Sequence, residues 1–130
     1  RRARSKSRRS LRLGSFEPES RVVRIHPVLD QRAVPAWFVT FVLKHELLHS
    51  VLPSYRDAKG KWVHHGPEFR GRESAWLEYE SALRWERQNL PRLIRSARLG
   101  SELRARPEDL VVPDVLAVER QSLRQHELPF

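Results

Sequence analysis

His45, Glu46 and His49, within the run His45-Glu46-Leu47-Leu48-His49, are the residues whose types and spacing can do chemistry. Imidazoles at i and i+4 lie ~40° apart around a helix and ~6 Å apart along it, so both can turn toward one ion. Zinc accepts such nitrogens at ~2.0–2.1 Å. Glu46 sits ~100° around from His45, beside the ion but off the ligand line. A carboxylate there suits a general base that takes a proton from the attacking water. The ion would lower that water's pKa toward ~7 and polarise a peptide carbonyl. The pattern is that of zinc-assisted peptide hydrolysis, with Glu46 catalytic, His45 and His49 metal-binding and Zn2+ as cofactor. Composition alone would produce such a match about 0.02 times in a chain of this length.

A catalytic zinc needs a third protein ligand and an open position. Candidates downstream are His64, His65, Glu68, Glu73, Glu78 and Glu80. His65 stands just before Gly66-Pro67, where the loop and the next helix would hold it. His64 points elsewhere if His65 points in. A Glu from the next helix would be the gluzincin arrangement, and Glu73 is the best of these. Tyr55, His64 and Tyr79 are the uncharged groups near the motifs that could steady an oxyanion, though each reads first as a packing or surface residue.

The elements that must position these groups follow from periodicity and punctuation. Pro35 suits the first position of a helix, which the pattern carries to about Val51, before Pro53. Apolar residues surround that helix almost completely, from Trp37 and Phe38 to Leu48 and Val51, which predicts burial on most sides. A polar trio on so apolar a helix would be a costly defect without a metal. Upstream, Leu11 to Phe16 and Arg21 to His26 read as two strands joined by Glu17-Pro18-Glu19-Ser20, a hairpin. His26 reads as structural, and His126 as solvent-exposed. Downstream, Ser54 to Gly66 reads as a polar loop and Pro67 to about Asn89 as one helix. Phe69, Trp76 and Leu83 recur along it every seven residues as a stripe for the first helix. Pro91 to Leu99 reads as a third helix ended by Gly100. Leu110-Val111-Val112 reads as a short strand and Asp114 to Gln125 as a helix.

The 130 residues suit one domain, preceded by an arm over residues 1–10 and followed by an extension over 101–130. That extension would pack on the domain or cover the cleft as an inhibitor. No apolar stretch approaches the ~20 residues that span a bilayer, so no membrane contact is expected. No apolar core follows the basic N-terminus, so no signal peptide is expected and the location reads as cytoplasmic. With no cysteine there is no disulfide framework and no Cys-ligated zinc. The net charge is +9, and seven of the first twelve residues are Arg or Lys. Such an arm, Arg1 to Arg12, can neutralise phosphates, which makes nucleic acid a candidate partner beside a protein or peptide substrate. The competing reading is a nucleic-acid-binding protein whose zinc is structural.

His45 to His49, followed by His65-Gly66-Pro67-Glu68-Phe69, resembles the SprT-like domain of the SprT and Spartan metallopeptidases. That family pairs HExxH with a downstream HGxxF-type segment. Leu11 to Phe16 and Arg24-Ile25-His26-Pro27-Val28-Leu29-Asp30 are similar to the strands leading into its active-site helix. The resemblance covers roughly residues 11–90. It implies an α+β, zincin-like domain, with a short antiparallel sheet on the HExxH helix and a second long helix. It also implies His65, over Glu73, as third ligand, and Phe69 as the packing residue that fixes the ligand loop. Many relatives add a zinc ribbon, and a chain without cysteine has none. Spartan-type proteins cleave proteins crosslinked to DNA, so DNA-associated substrates, reached through the basic arm, are what the likeness implies.

Overall fold

The computed structural model describes residues 11–116, which form a small mixed α+β domain. The basic arm to Ser10 lies outside the described residues, as do residues 117–130, which hold His126, most of the helix expected over 114–125 and the end of the extension expected to pack on the domain or cover the cleft.

The expected hairpin is present with shorter strands, β1 (Gly14–Glu17) and β2 (Val22–Ile25), paired antiparallel with Gly14 opposite Ile25. Leu11 to Leu13 stay outside the ladder, although His26 N–H still donates to the Leu13 carbonyl at 2.8 Å. His26 then caps a 3-10 turn, Pro27–Leu29, by accepting Val28 N–H on Nδ1 at 3.0 Å. This is a structural role.

Helix α1 (Ala36–Val51) follows, with Pro35 as its N-terminal flanking residue. Its buried residues Phe38, Phe41 and Val42 join Leu13, Val28, Leu29 and Val34 in the core. The expected burial on most sides is corrected. Leu43, Leu47 and Val51 are 38%, 48% and 61% exposed, one stripe at i, i+4 and i+8. The hairpin and the last helix occupy one side of α1, and no described element covers that stripe.

The expected polar loop over 54–66 is instead a second hairpin, β3 (Tyr55–Arg56) with β4 (Trp62–Val63). Asp57 drives it, since its carboxylate accepts the Lys59 and Lys61 backbone N–H groups at 2.8 and 3.0 Å. The single helix expected from Pro67 to Asn89 is two, α2 (Pro67–Ser74) and α3 (Tyr79–Leu99). Residues 75–78 break it because the Trp76 and Glu78 side chains are taken by α1. Trp76 meets the Phe41 ring edge-on at 5.9 Å, and buried Glu78 accepts from Lys44 Nζ at 2.5 Å. The seven-residue stripe of Phe69, Trp76 and Leu83 therefore does not lie on one helix.

The break expected before Pro91 is also absent. Helix α3 runs through Pro91 because Ala82, Asn89, Leu93 and Ser96 continue one buried face. That packing offsets the ~3 kcal/mol an interior proline costs. Phe38 against Trp85, 4.3 Å between ring centroids, joins α1 to α3. Gly100 ends α3 at φ +65, the left-handed cap that glycine favours.

Beyond it, no strand forms at 110–112: Leu110 ends a 3-10 turn, Pro107–Leu110, Val111 and Val112 follow without regular structure, and Leu110 and Val111 are exposed. Buried Asp109 fixes this turn by accepting Arg106 N–H at 2.7 Å, with Arg92 at 3.5 Å. Gln31 accepts Leu103 N–H at 2.7 Å, so residues 101–110 lie against α3 and the turn that precedes α1. Among the described residues no helix is long and apolar enough to cross a membrane.

Candidate metal centre

His45 and His49 leave α1 one turn apart on the same side, with ring centroids 5.1 Å apart. His65 comes from the end of the second hairpin, immediately before α2, and closes the triangle. Its Nε2 stands 3.2 Å from both His45 Nε2 and His49 Nε2. One ligand atom from each residue lies within 4.8 Å of the other two.

The donor set fits a cation. A single His65 nitrogen carries at most one hydrogen and cannot donate along two lines at once. Two nitrogens on one tetrahedral zinc, each at ~2.0–2.1 Å, lie about 3.3 Å apart, close to the separation seen here.

Protonation follows the same logic. The His49 pKa is lowered to about 4, first by burial and then by the neighbouring His45 and His65. His65 is lowered as well, again first by burial. Both rings therefore offer lone pairs at neutral pH. At His45, burial disfavours the charged ring, but the hydrogen bond and charge of Glu73 outweigh it and the pKa is raised. Glu73 bonds His45 Nδ1. An ionised carboxylate only accepts, so Nδ1 carries the hydrogen, and in the neutral ring that a metal requires the lone pair is left on Nε2, on the side of the other histidines.

Of the two leading third-ligand candidates, His65 is thus in the cluster, and Glu73 stands behind His45. The other candidates lie elsewhere. His64 pairs with Ser54 Oγ at 2.7 Å, Glu68 with Arg72 at 3.2 Å and Glu78 with Lys44, while Glu80 is exposed. Tyr55 packs on Gly66 and Tyr79 on Phe41, so of the three oxyanion candidates only His64 lines the cleft.

Phe69, 3% exposed on α2, lies under all three imidazoles at centroid distances of 5.1, 4.5 and 4.9 Å. It braces the whole triangle rather than the ligand loop alone. Arg70 Nε holds the His65 carbonyl at 2.9 Å. A Cβ added at Gly66 would run into the Tyr55 ring, so Gly66 is small because β3 approaches the ligand loop closely.

Glu46 is buried beside the triangle, and burial raises its pKa against the lowering charges of His45 and Arg12. A Cβ on Gly14 of β1 would sit 3.0 Å from Glu46 Cγ and 3.1 Å from its Oε2. The bare backbone of β1 thus forms the wall behind this carboxylate. A glycine inside a strand pattern signals such an approach. The roles of Glu73 and Tyr55 have no comparable local signal.

The triangle opens on a cleft of about 880 Å³ lined by Gly14, Glu46 and the three histidines, with Arg12, Arg21 and Trp62 at its sides. Comparison with known protein families, with curated proteins and with solved structures finds no match to this chain.

Proposed function

We propose that this chain is a zinc-dependent metallopeptidase with a zincin-like, SprT-like domain that hydrolyses peptide bonds in the cleft over α1. The observation that carries the reading is the convergence of three imidazole nitrogens beside a buried carboxylate, at the floor of a cleft large enough for a peptide segment. His45, His49 and His65 would hold zinc through nitrogen. Three protein ligands would leave one position of a tetrahedral ion free, which a catalytic site needs and a structural one lacks.

When bound, zinc supplies Lewis acidity, polarising the scissile carbonyl and lowering the pKa of the attacking water. The remaining work falls to this chain's own groups. Glu46 takes the proton from the water and delivers it to the leaving amine, and its raised pKa moves it toward the working pH of a general base. Glu73 holds His45 in the tautomer that ligates. Phe69 keeps water from the back of the triangle. Substrates would be proteins or peptides of the cytoplasm, with DNA-associated ones reached through Arg1 to Arg12.

Elemental analysis and a peptide-hydrolysis assay test the reading together. The expected outcome is one zinc per chain, and Glu46→Gln that keeps the metal but lowers kcat about 10³-fold. Full activity in Glu46→Gln would remove the mechanism.

A further inference from the structure

Two guanidinium groups line the cleft: Arg12 acts on Glu46 through its charge alone, and Arg21 has no part in the proposed hydrolysis. Arg12 precedes β1 and Arg21 closes the β1–β2 turn, so the first hairpin brings both to the cleft, one from each of its ends. Among the described residues neither forms a direct ion pair, in contrast to Arg24 of the same hairpin, which pairs with Glu17 at 3.5 Å.

Arg12 is held rather than free, since its Nε donates to the Gly14 carbonyl at 3.2 Å. Arg21 is placed at a conformational cost. Its φ of +56 makes it the non-glycine residue with a left-handed backbone among those described. Outliers of this kind collect at ligand clamps and functional sites. The turn sets the Arg21 guanidinium 5.9 Å from the Phe16 ring centroid, against another cleft residue. The opposite wall, with Pro53, Ser54, Trp62 and His64, brings no carboxylate, and Glu46 is the cleft's acidic residue.

We infer that Arg12 and Arg21 form a carboxylate-binding subsite, so that the cleft takes polypeptide segments bearing Asp or Glu side chains near the scissile bond. This rests on the peptidase reading for the word scissile, though not for the binding itself. Guanidinium forks match carboxylates in geometry as well as charge. Among the described residues the cleft is lined by two cations, which suit one or two carboxylate side chains, whereas a nucleic-acid strand calls for a longer row of cations along its phosphates. Opposed charges at the rim of a cleft chiefly select the partner, and their contribution to affinity is modest where solvent screens them.

The test uses the full chain, zinc-loaded and carrying Glu46→Gln so that bound peptide persists. Fluorescein-labelled peptide pools of equal length, differing only in Glu, Gln or Lys content, are titrated by anisotropy. The Glu pool should bind about tenfold more tightly than the Gln pool, and the Lys pool most weakly. Arg12→Gln with Arg21→Gln should erase that order. Arg12→Glu with Arg21→Glu should invert it in favour of Lys, which a merely structural role for the arginines would not do. Arg21→Asn, tolerant of the left-handed backbone, must reproduce part of the loss without strain.

A Glu preference that survives all these substitutions would overturn the subsite. So would a single-stranded oligonucleotide that displaces the Glu pool more effectively than unlabelled Glu peptide does. If the unsubstituted chain hydrolyses no peptide while the arginine-dependent order holds, the subsite stands and the peptidase reading falls. If peptides are cut without regard to acidic content, the reverse is true.

Discussion

Helix α1 and the segment from Ser54 to Glu78 contribute to the same candidate metal centre in opposite ways. On α1, the relation among His45, Glu46 and His49 is set by helix geometry, and any stable helix over these residues would produce it. The 54–78 segment has no such internal ruler. It brings His65, Phe69 and Glu73 to the site through a two-residue-per-strand hairpin, an eight-residue helix and a break. Its place depends on Tyr55 against Gly66, Trp76 against Phe41 and Glu78 on Lys44. A motif written in local geometry survives small errors elsewhere. Ligands delivered by packing do not, and their supporting contacts belong to the site.

The contrast is broken most severely by removing ligands from each side. His49→Ala should abolish stoichiometric zinc binding and activity. His65→Ala should lose activity to background but retain weak metal uptake, because the paired α1 ligands remain preorganised. Equal affinities in the two variants, measured by competition with a chromophoric chelator, would erase the distinction between the regions. Next in size is Glu73→Gln, which leaves all three ligands in place. Loss of such a supporting carboxylate should weaken zinc about 10–100-fold, with a matching fall in activity at limiting metal. Unchanged affinity would place Glu73 outside the site.

Gly66→Ala probes the delivering segment alone. The added methyl meets the Tyr55 ring and should shift His65, weakening zinc about tenfold while α1 keeps its helical signal. Tyr55→Phe in the same chain, by removing the hydroxyl that stands closest, should restore part of it.

The smallest effect is a pH dependence of the metal-free protein. The folded pKa of His49 is about 4, below the ~6.5 of an unfolded histidine. Between those values the unfolded chain binds more protons, so stability is full above ~6.5 and declines as pH falls toward 4. His65 acts in the same direction, whereas His45, with its raised pKa, contributes stability that is present below ~6.5 and lost as pH rises above it, outside this window. Thermal midpoints recorded across that window should fall on acidification, and less steeply in His49→Ala.

The first hairpin and the long helices show what was legible and where it failed. The β-branched run at Val22 to Ile25 and the turn composition at 17–20 marked β1 and β2, though not their ends. Gly100 marked the end of α3. Nothing at Ala75-Trp76-Leu77-Glu78 resembles a helix stop, because the break arises from contacts with residues more than thirty positions away in α1. Pro91 resembled a stop and was not one, because the buried face beneath α3 continues across it. The second hairpin escaped notice because its strands are too short for periodicity to register.

By itself the sequence determined the helix over residues 36–51, the convergence of His45 and His49 with Glu46 beside them, and the hairpin that precedes them. Each depends on spacing within a few residues, which backbone geometry converts directly into direction. Only the tertiary structure decided that His65 joins the triangle while Glu73 orients His45, that Phe69 lies under all three rings, and that Arg12 and Arg21 both line the cleft. Most of those relations join residues sixteen or more positions apart, or flank a turn whose conformation is unusual for arginine. Packing between elements, rather than any local period, sets them.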